Sequence, residues 1–487
     1  MLRCMLLALA MFVSCATCVA DDQPPNIIVI VTDDQGYGDL GCYGSPNIET
    51  PHIDRLAAEG MRLTSFYAAP ICGPSRAALM TGCYPPRVSL GFNHVPNATT
   101  GINPDEQTFA EVLRSAGYST LHVGKWHLGD APEFLPTRHG FDEYFGLPYS
   151  NDMYPHHEML PILDDEPVEQ RAIRERVRYT GSAWKQGAAT FPHPFEKPLP
   201  LLEGETVVEL MPDQSQLTGR YVDRAVRFIR EHREEPFFIY LAHAMPHVYL
   251  HVSDRFKGKS QRGLYGDVIM EIDSGVGQIR AVLDELDLAE QTLIVFTSDN
   301  GPWLAYGIDG GSAGPLKGGK GSTHEGGMRV PGIFWWPGRI PAGTRSDEMA
   351  ANMDLLPTVA EISGAALPEQ TIDGRSLWPL LSGQTDKGPH EEFYYFVGNS
   401  PGETRFQAVR DQRWKLVIKA SEQPDRLLEP TALYDLRQDV SETTNRLNDH
   451  PQEATRLEAI ARSAYADFQS SVRPIGRLAT ELKPDAN

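Results

Sequence analysis

Residues 26–36 read NIIVIVTDDQG: a run of Ile and Val after Asn26, followed at once by Thr32, Asp33, Asp34, Gln35 and Gly36. Continuous β-branched apolarity over so short a run suits a strand buried on both faces, the pattern of a parallel sheet. Three further runs have the same form. Residues 119–123 run into Gly124, Lys125, Trp126 and His127; residues 237–241 lead to His243 and His247; residues 293–297 run into Ser298, Asp299, Asn300 and Gly301. Helix-like stretches at 106–116, 217–233 and 268–286 precede the second, third and fourth of these runs. Such alternation predicts a doubly wound α/β sheet, in which ligands bind beyond the carboxyl ends of the strands. That is where the polar residues just named cluster.

Outside this frame, residues 154–216 are rich in Pro, His and charge and read as an insertion or a set of long loops. The many glycines of 301–327 predict a loop close to a ligand. From residue 377 the pattern changes: short strands are expected at 393–397, 406–409, 415–418 and 433–436, then a helix over 446–468. The expected organisation is a leader at 1–20, a catalytic domain at 21–376 and a smaller C-terminal α+β domain at 377–487.

The 487 residues are 41% hydrophobic and 22% charged, which can fill a large core. A net charge of -21 argues against nucleic acid as a partner, because phosphate binding needs basic surface. A small anion needs only a local basic pocket or a metal. The first twenty residues read as an export signal: Arg3 is the positive start, 5–13 are apolar, and small residues cluster before Ala20. The apolar run is too short to span a bilayer, and no later segment is apolar enough. An exported protein is expected, periplasmic or extracellular, or lysosomal or secreted in a eukaryote; acylation of Cys15 or Cys18 would make it a lipoprotein. Cys4, Cys15 and Cys18 leave with the leader, so Cys42, Cys72 and Cys83 remain. Either Cys42 pairs with Cys83 and leaves Cys72 as the reactive thiol, or all three are free and buried.

Adjacent carboxylates at a strand end, Asp33 and Asp34, repel each other unless a cation lies between them. Asp299 and Asn300 end another strand, giving three carboxylates and an amide. This oxygen-only set suits Ca²⁺ or Mg²⁺ rather than zinc. Either pair alone fits a turn; two pairs, both ending buried strands, point to a metal. In Cys72-Gly73-Pro74-Ser75-Arg76, Pro74 suits the first turn of a helix and Gly82 its end. An anion at such a helix start gains about 0.3–1 kcal/mol. Arg76, one turn on, can reach the same anion bidentately. Taken alone, the string fits equally a buried Cys beside a structural Arg.

Pro70-Ile71-Cys72-Gly73-Pro74-Ser75-Arg76 with Leu79-Met80-Thr81-Gly82 resembles the first signature of the formylglycine-dependent sulfatases of the alkaline phosphatase superfamily. Gly117-Tyr118-Ser119-Thr120 with Val123-Gly124-Lys125-Trp126-His127 resembles the second. Thr32-Asp33-Asp34, Pro246-His247, Ser298-Asp299-Asn300-Gly301, Lys320-Gly321 and Glu325-Gly326-Gly327 continue the likeness in order, to about Arg375. Leu433-Tyr434-Asp435-Leu436 and Glu442-Thr443-Thr444-Asn445 extend it more weakly. Ser260-Gln261-Arg262-Gly263, Tyr265-Gly266-Asp267 and Gly311-Ser312-Ala313-Gly314-Pro315 lean toward the arylsulfatase A and N-acetylgalactosamine-6-sulfatase branch.

The resemblance implies an alkaline-phosphatase-like α/β fold: a large mixed, mostly parallel sheet sandwiched by helices, with a smaller C-terminal α+β domain. It implies sulfate ester hydrolysis through a formylglycine hydrate and a sulfo-enzyme intermediate, on a sulfated saccharide or small molecule such as an aryl sulfate. Cys72 would be the residue converted, by a formylglycine-generating enzyme during maturation. With Asp33, Asp34, Asp299 and Asn300 it would hold calcium, or magnesium. Arg76 and Lys125 would stabilise the hydrate and the sulfate, His127 would take a proton from the sulfated hydrate, and His247 and Lys320 would contact sulfate and aid departure of the alcohol. Ser150 matches a substrate-contacting serine. Spacing in the family's motifs selects His247 over His243 and Lys320 over Lys317, and Val248-Tyr249 departs from the usual pattern where substrate preference is shaped. Two other readings accompany this one: a phosphate or phosphonate ester hydrolase of the same superfamily, and a sulfated-glycan binding protein without catalysis. His156 and His157 read as surface loop residues, and Asn97-Ala98-Thr99 as a glycosylation sequon.

Overall fold

The structure, a computed structural model, describes residues 24–154, 197–398, 404–420 and 428–479. The expected leader with Cys15 and Cys18, the pair His156 and His157, and most of the 154–216 stretch lie outside the described residues. Among the described residues, no helix is long and apolar enough to cross a membrane.

In chain order the strands are β1 (Asn26–Thr32), β2 (Met61–Tyr67), β3 (Thr100–Gly101), β4 (Ser119–Lys125), β5 (Glu143–Leu147), β6 (Pro200–Glu203) and β7 (Thr206–Leu210). There follow β8 (Phe237–Ala242), β9 (Thr292–Ser298), β10 (Arg329–Trp335), β11 (Thr344–Ser346) and β12 (Ala350–Ala351). All but β3 belong to one sheet of order β11-β2-β10-β9-β1-β8-β4-β5-β6-β7, with β12 also on β2. Pairings of β1 with β8 and β9, and of β4 with β5 and β8, are parallel; β10 and the β6–β7 hairpin bring antiparallel pairs. The main helices are α1 (Pro51–Glu59), α2 (Cys72–Thr81), α3 (Phe109–Ser115), α4 (Leu217–Glu231), α5 (Leu264–Glu285), α6 (Glu325–Met328), α7 (Leu355–Ser363), α8 (Trp378–Leu381) and α9 (Pro451–Ser470).

The central strand explains why its sequence is aliphatic throughout. Ile28 and Ile30 join one apolar cluster, with Leu56 of α1, Phe228 of α4 and Ile272 of α5. Ile27, Val29 and Val31 join the other, with Leu79 of α2, Phe109 of α3 and Leu356 of α7. Period-two alternation therefore sends every side chain into a core, at roughly 1.5–3 kcal/mol for each fully buried aliphatic group. Helix α4 buries Leu217, Tyr221, Val222, Ala225, Phe228 and Ile229, the spacing of a one-sided helix. Thr108 and Glu111 form a capping box at the start of α3.

Part of the stretch expected as insertion or loops is regular: residues 200–210 form the β6–β7 hairpin and lengthen the sheet beyond β5. A second sheet of β13 (Phe393–Val397), β14 (Arg405–Arg410), β15 (Trp414–Ala420) and β16 (Leu428–Asp435) is antiparallel throughout. Its cover is α9, which lays Leu457, Ala461 and Phe468 against it. That helix starts at Pro451 rather than 446, because proline fits the first helical turn and not the interior. The two sheets share one apolar cluster through Tyr67, Ala78 and Met353. A two-residue strand β17 (Gly476–Arg477) pairs with β3 and returns the chain to the first domain.

Candidate active site and metal centre

Because β1, β4, β8 and β9 run parallel as neighbours, their carboxyl ends fall on one edge of the sheet. Asp33 follows β1, Lys125 ends β4, His243 follows β8, and Asp299 follows β9. The turns there are fixed by short hydrogen bonds. Ser298 Oγ accepts from the Gln35 amide at 3.0 Å and donates to the Asn300 carbonyl at 2.9 Å, and the Asp34 amide donates to Asp299 Oδ1 at 3.2 Å. Asp34 itself has φ of 64°, a left-handed conformation that Asp tolerates and that turns its carboxylate back over the strand ends. Gly124 has φ of 111°, and a Cβ there would lie 1.8 Å from the Ala242 carbonyl oxygen, so only glycine lets β4 deliver Lys125 beside β8.

Helix α2 starts at Cys72, with Ile71 as its extended N-cap and Gly82 as its left-handed C-cap, φ 66°. Every residue of this helix is buried, and Cys72 is 0% exposed. Its Sγ lies 3.3 Å from Asp33 Oδ1 and 3.9 Å from Asp34 Oδ1. One turn on, Arg76 Nε and Nη2 donate to Asp299 Oδ2 at 3.0 and 2.8 Å, while Nη1 donates to the Lys125 carbonyl at 2.6 Å. Lys125 Nζ donates to Asp33 Oδ2 and sits 3.3 Å from Ser150 Oγ. Lys320 Nζ donates to Asp34 Oδ2 at 2.8 Å. His247 Nε2 is 3.5 Å from Asp34 Oδ2 and 3.4 Å from Ser150 Oγ. Three carboxylates thus each meet a different cation: Asp33 with Lys125, Asp34 with Lys320, Asp299 with Arg76.

Titration follows from this pairing. Burial raises the Asp33 carboxyl, but Lys125, His247, Arg76 and Lys320 outweigh it and hold the group well below the usual carboxylate range. Burial, then Asp299 and Asp33, push the Cys72 thiol well above its ordinary value. Burial, then Lys125 and Arg76, push His127 well below the usual imidazole value, so its ring is neutral. His127 Nε2 lies 3.0 Å from the His94 carbonyl oxygen. A carbonyl only accepts, so Nε2 carries the hydrogen and Nδ1 the lone pair. That Nδ1 is buried without a partner among the described residues.

The donor set fits a hard divalent cation. Ligand atoms of Asp33, Asp34, Cys72 and His247 lie within 4.8 Å of one another. Asn300 Nδ2 donates to Asp34 Oδ1 at 2.7 Å, and the Asn300 Oδ1 is buried with no donor among the described residues. An orphaned amide oxygen beside three carboxylates is what an oxygen-preferring ion such as Ca²⁺ or Mg²⁺ takes.

The residues expected from sequence thus come together: Asp33, Asp34, Cys72, Arg76, Lys125, Ser150, His247, Asp299, Asn300 and Lys320 form one contact network, and the neutral ring of His127 lies near Lys125 and Arg76. His243 stands apart, its ring 6.5 Å from Tyr221, and burial lowers it to about 4. Lys317 turns away as well, donating to the Glu442 carbonyl at 3.1 Å. Cys42 and Cys83 are free thiols, not a pair. Three contributors were not read from sequence: His94, which sets the His127 tautomer; Asn93, whose Oδ1 accepts from the Gly73 amide at 2.7 Å; and Trp303, whose ring lies 5.4 Å from that of His247. Only Trp303 carried a signal, being three residues beyond Asn300.

Comparison with known proteins places this geometry. The Sulfatase family model matches residues 25–365, and a model described as N-sulphoglucosamine sulphohydrolase, C-terminal, matches residues 319–463. Human arylsulfatase A is 38% identical over 467 residues, covering 91% of this chain and 86% of its own. N-acetylgalactosamine-6-sulfatase of Canis lupus familiaris is 42% identical over 400 residues, covering 78% and 69%. Among solved structures, Ps i-CgsB in complex with k-i-k-neocarrahexaose superposes with a TM-score of 0.74 at 32% identity, covering 94% of this chain and 96% of that one.

Proposed function

We propose, from the premise that this chain belongs to the sulfatase family and is a sulfuric ester hydrolase, that it cleaves sulfate esters by covalent catalysis at residue 72 after Cys72 has been oxidised to formylglycine. The observation that carries the reading is the pairing of three carboxylates with three cations around the start of α2. Lys125, Lys320 and Arg76 lie where a sulfate would need them, and each is tied to a carboxylate that suits a metal.

Asp33, Asp34, Asp299 and the Asn300 side-chain oxygen, with residue 72, would hold calcium, or magnesium, whose charge lowers the cost of an anionic oxygen on residue 72. Arg76 and Lys125 hold the sulfate and that oxygen in line for attack on sulfur. His247 and Lys320, with Ser150 between His247 and Lys125, offset charge on the departing alcohol oxygen. His127 then takes a proton at Nδ1 from the second hydroxyl of residue 72, so the aldehyde re-forms as sulfate leaves. The lone pair left on Nδ1 by the His94 carbonyl supports this assignment. A free thiol suits the task less well, since burial and two carboxylates keep it protonated when no metal is bound.

The proposed substrate is a sulfated saccharide, with an aryl sulfate as the alternative, because relatives are named for a sulfated galactosamine and one is solved with an oligosaccharide bound. Export, and modification by a formylglycine-generating enzyme, belong to the same proposal. Mass spectrometry of the peptide carrying residue 72, followed by turnover of aryl sulfate and aryl phosphate esters, tests it. Aldehyde at residue 72 with preference for sulfate is expected. An unmodified thiol in an active enzyme would overturn the chemistry, and preference for phosphate would favour the related phosphoester hydrolases.

A further inference from the structure

Lys320, the ammonium assigned to the departing alcohol, stands on backbone with little stiffness of its own. In the run Gly318-Gly319-Lys320-Gly321 only Lys320 carries a side chain, and Gly318 and Gly321 have φ of 74° and 83°. The lysine stem is flexible as well. Bonds from outside must therefore fix the loop. From the first domain, the Pro302 carbonyl accepts from the Lys320 amide at 2.9 Å and the Pro70 carbonyl from the Gly321 amide at 2.8 Å. The flanks are held by the C-terminal domain. Ser441 Oγ donates to the Pro315 carbonyl at 2.5 Å, Lys317 Nζ to the Glu442 carbonyl at 3.1 Å, and Thr323 Oγ1 to Gln407 Oε1 at 2.8 Å. Lys415 Nζ, from β15, donates to the Thr323 carbonyl at 2.7 Å.

Glu442 joins the two ends of this loop. Its carbonyl takes Lys317 before Lys320, and its Oε2 accepts from the Glu325 amide after it at 2.8 Å, with His324 Nδ1 at 3.3 Å from the same oxygen. Its φ of 51° is a left-handed conformation uncommon outside glycine, held here by bonds to both its carbonyl and its side chain. Lys415 Nζ lies 2.9 Å from the other Glu442 oxygen and 3.0 Å from Glu325 Oε1. Both residues are buried, so water does not compete for these contacts. Lys320 Nζ itself reaches Asp34 Oδ2 at 2.8 Å, so the pair acts on it through the loop backbone. Resting on the function proposed above, we infer that Glu442 and Lys415 are positioning residues for Lys320, through which the C-terminal domain sets where that ammonium meets the departing oxygen. A clasp on both ends of the loop holds its middle, and a shift of about 1 Å there weakens a charge contact made in the transition state.

The test compares phenyl sulfate with para-nitrophenyl sulfate in the full chain with residue 72 shown to be oxidised. Nitrophenolate spreads its own charge, so its departure needs Lys320 less than that of the more basic phenolate. Glu442→Ala should therefore lower kcat/KM for phenyl sulfate by about 10-fold and for the nitrophenyl ester by only about 2-fold. Lys320→Ala should show the same ordering with larger losses, and adding Glu442→Ala to it should not widen the gap further, because the two act through one ammonium. Thr323→Val removes only the bond to Gln407 and decides the case if Glu442→Ala does not fold; the same ordering at a smaller scale is expected. Equal losses on both esters in the Glu442 and Thr323 variants, or a wider gap in the double variant than in Lys320→Ala, would overturn the positioning role and leave sulfatase chemistry standing. Turnover of neither ester by the oxidised wild type, or equal losses in Lys320→Ala, would instead overturn the function on which the inference rests.

Discussion

The carboxylates at the ends of β1 and β9, and the pair Glu325 and Glu442 beneath the glycine-rich loop, are both buried among cations, yet their hydrogen bonding differs in kind. Glu325 accepts from Tyr395 at 2.7 Å, Tyr67 at 2.6 Å and Lys415 at 3.0 Å, with Arg329 at 3.5 Å. Glu442 accepts from the Glu325 amide at 2.8 Å and meets Lys415 at 2.9 Å, and Lys415 also donates to the Thr323 carbonyl at 2.7 Å. Neutral hydroxyls and backbone groups thus share the work with charge. Around Asp33, Asp34 and Asp299 the donors are mostly cationic side chains, and the adjoining Asn300 Oδ1 and His127 Nδ1 have none. Cations pull Asp33 and Glu325 alike below the usual carboxylate range against the effect of burial. Titration therefore does not separate the two clusters, and an unmatched oxygen does not either, since Glu442 Oε1 meets Lys415 only as an ion pair; the kind of donor does. One cluster fastens the Lys320 loop to the C-terminal sheet, and the other is the candidate metal centre.

Experiments can press on this contrast. The largest effect is expected at residue 72 itself: Cys72→Ser should accept one sulfate and then stall, because a serine ester cannot eliminate it, so steady-state turnover falls by on the order of 10⁴ or more. Burst kinetics checks it, and sustained turnover in that variant sinks the elimination step. Chelation comes next. Removing divalent ions should abolish most activity, calcium or magnesium should restore it, and a thermal melt should show stabilisation on re-addition, as for any ligand of the native state. Lys415→Met should do the reverse, costing about 3–5 kcal/mol of stability by leaving Glu325 and Glu442 buried without their shared cation. Denaturant unfolding measures that cost, while kcat of the folded fraction should change far less than in Cys72→Ser. The smallest effect concerns acid. A carboxyl whose folded pKa is depressed contributes stability that is present above its unfolded value, near 4.5 for Glu325, and lost as pH falls below it. Glu325→Gln should therefore flatten the loss of stability below pH 4.5.

How far sequence reading reached follows from what each element asks of its residues. Strands such as β1, which need apolar side chains on both faces, are visible as unbroken runs. By contrast β2 mixes Arg62, Thr64 and Ser65 into its run, and β10 contains Pro331 and Gly332, so neither shows the pattern although both lie inside the sheet. The β6–β7 hairpin was hidden for the opposite reason: Val207, Val208 and Leu210 are exposed there, and the strands sit in polar surroundings. At the site, Asp33-Asp34 and Asp299-Asn300 pointed to a metal site by chemistry alone, whereas the roles expected of Lys125, His127 and Lys320 came only through resemblance. The His94 carbonyl and the Glu325–Lys415 pair, 90 residues apart in sequence, depend on contacts that no local spacing encodes.

Cys72 is 0% exposed at the closed start of α2, and that burial sets a schedule. On the proposed chemistry, an enzyme that oxidises this thiol would have to meet it while β1, β9 and α2 are apart, because the folded chain offers it no surface. Folding is then the deadline for maturation. On that chemistry a chain that closed before oxidation would be folded but without its nucleophile, and the yield of active protein would be set by a race between two rates.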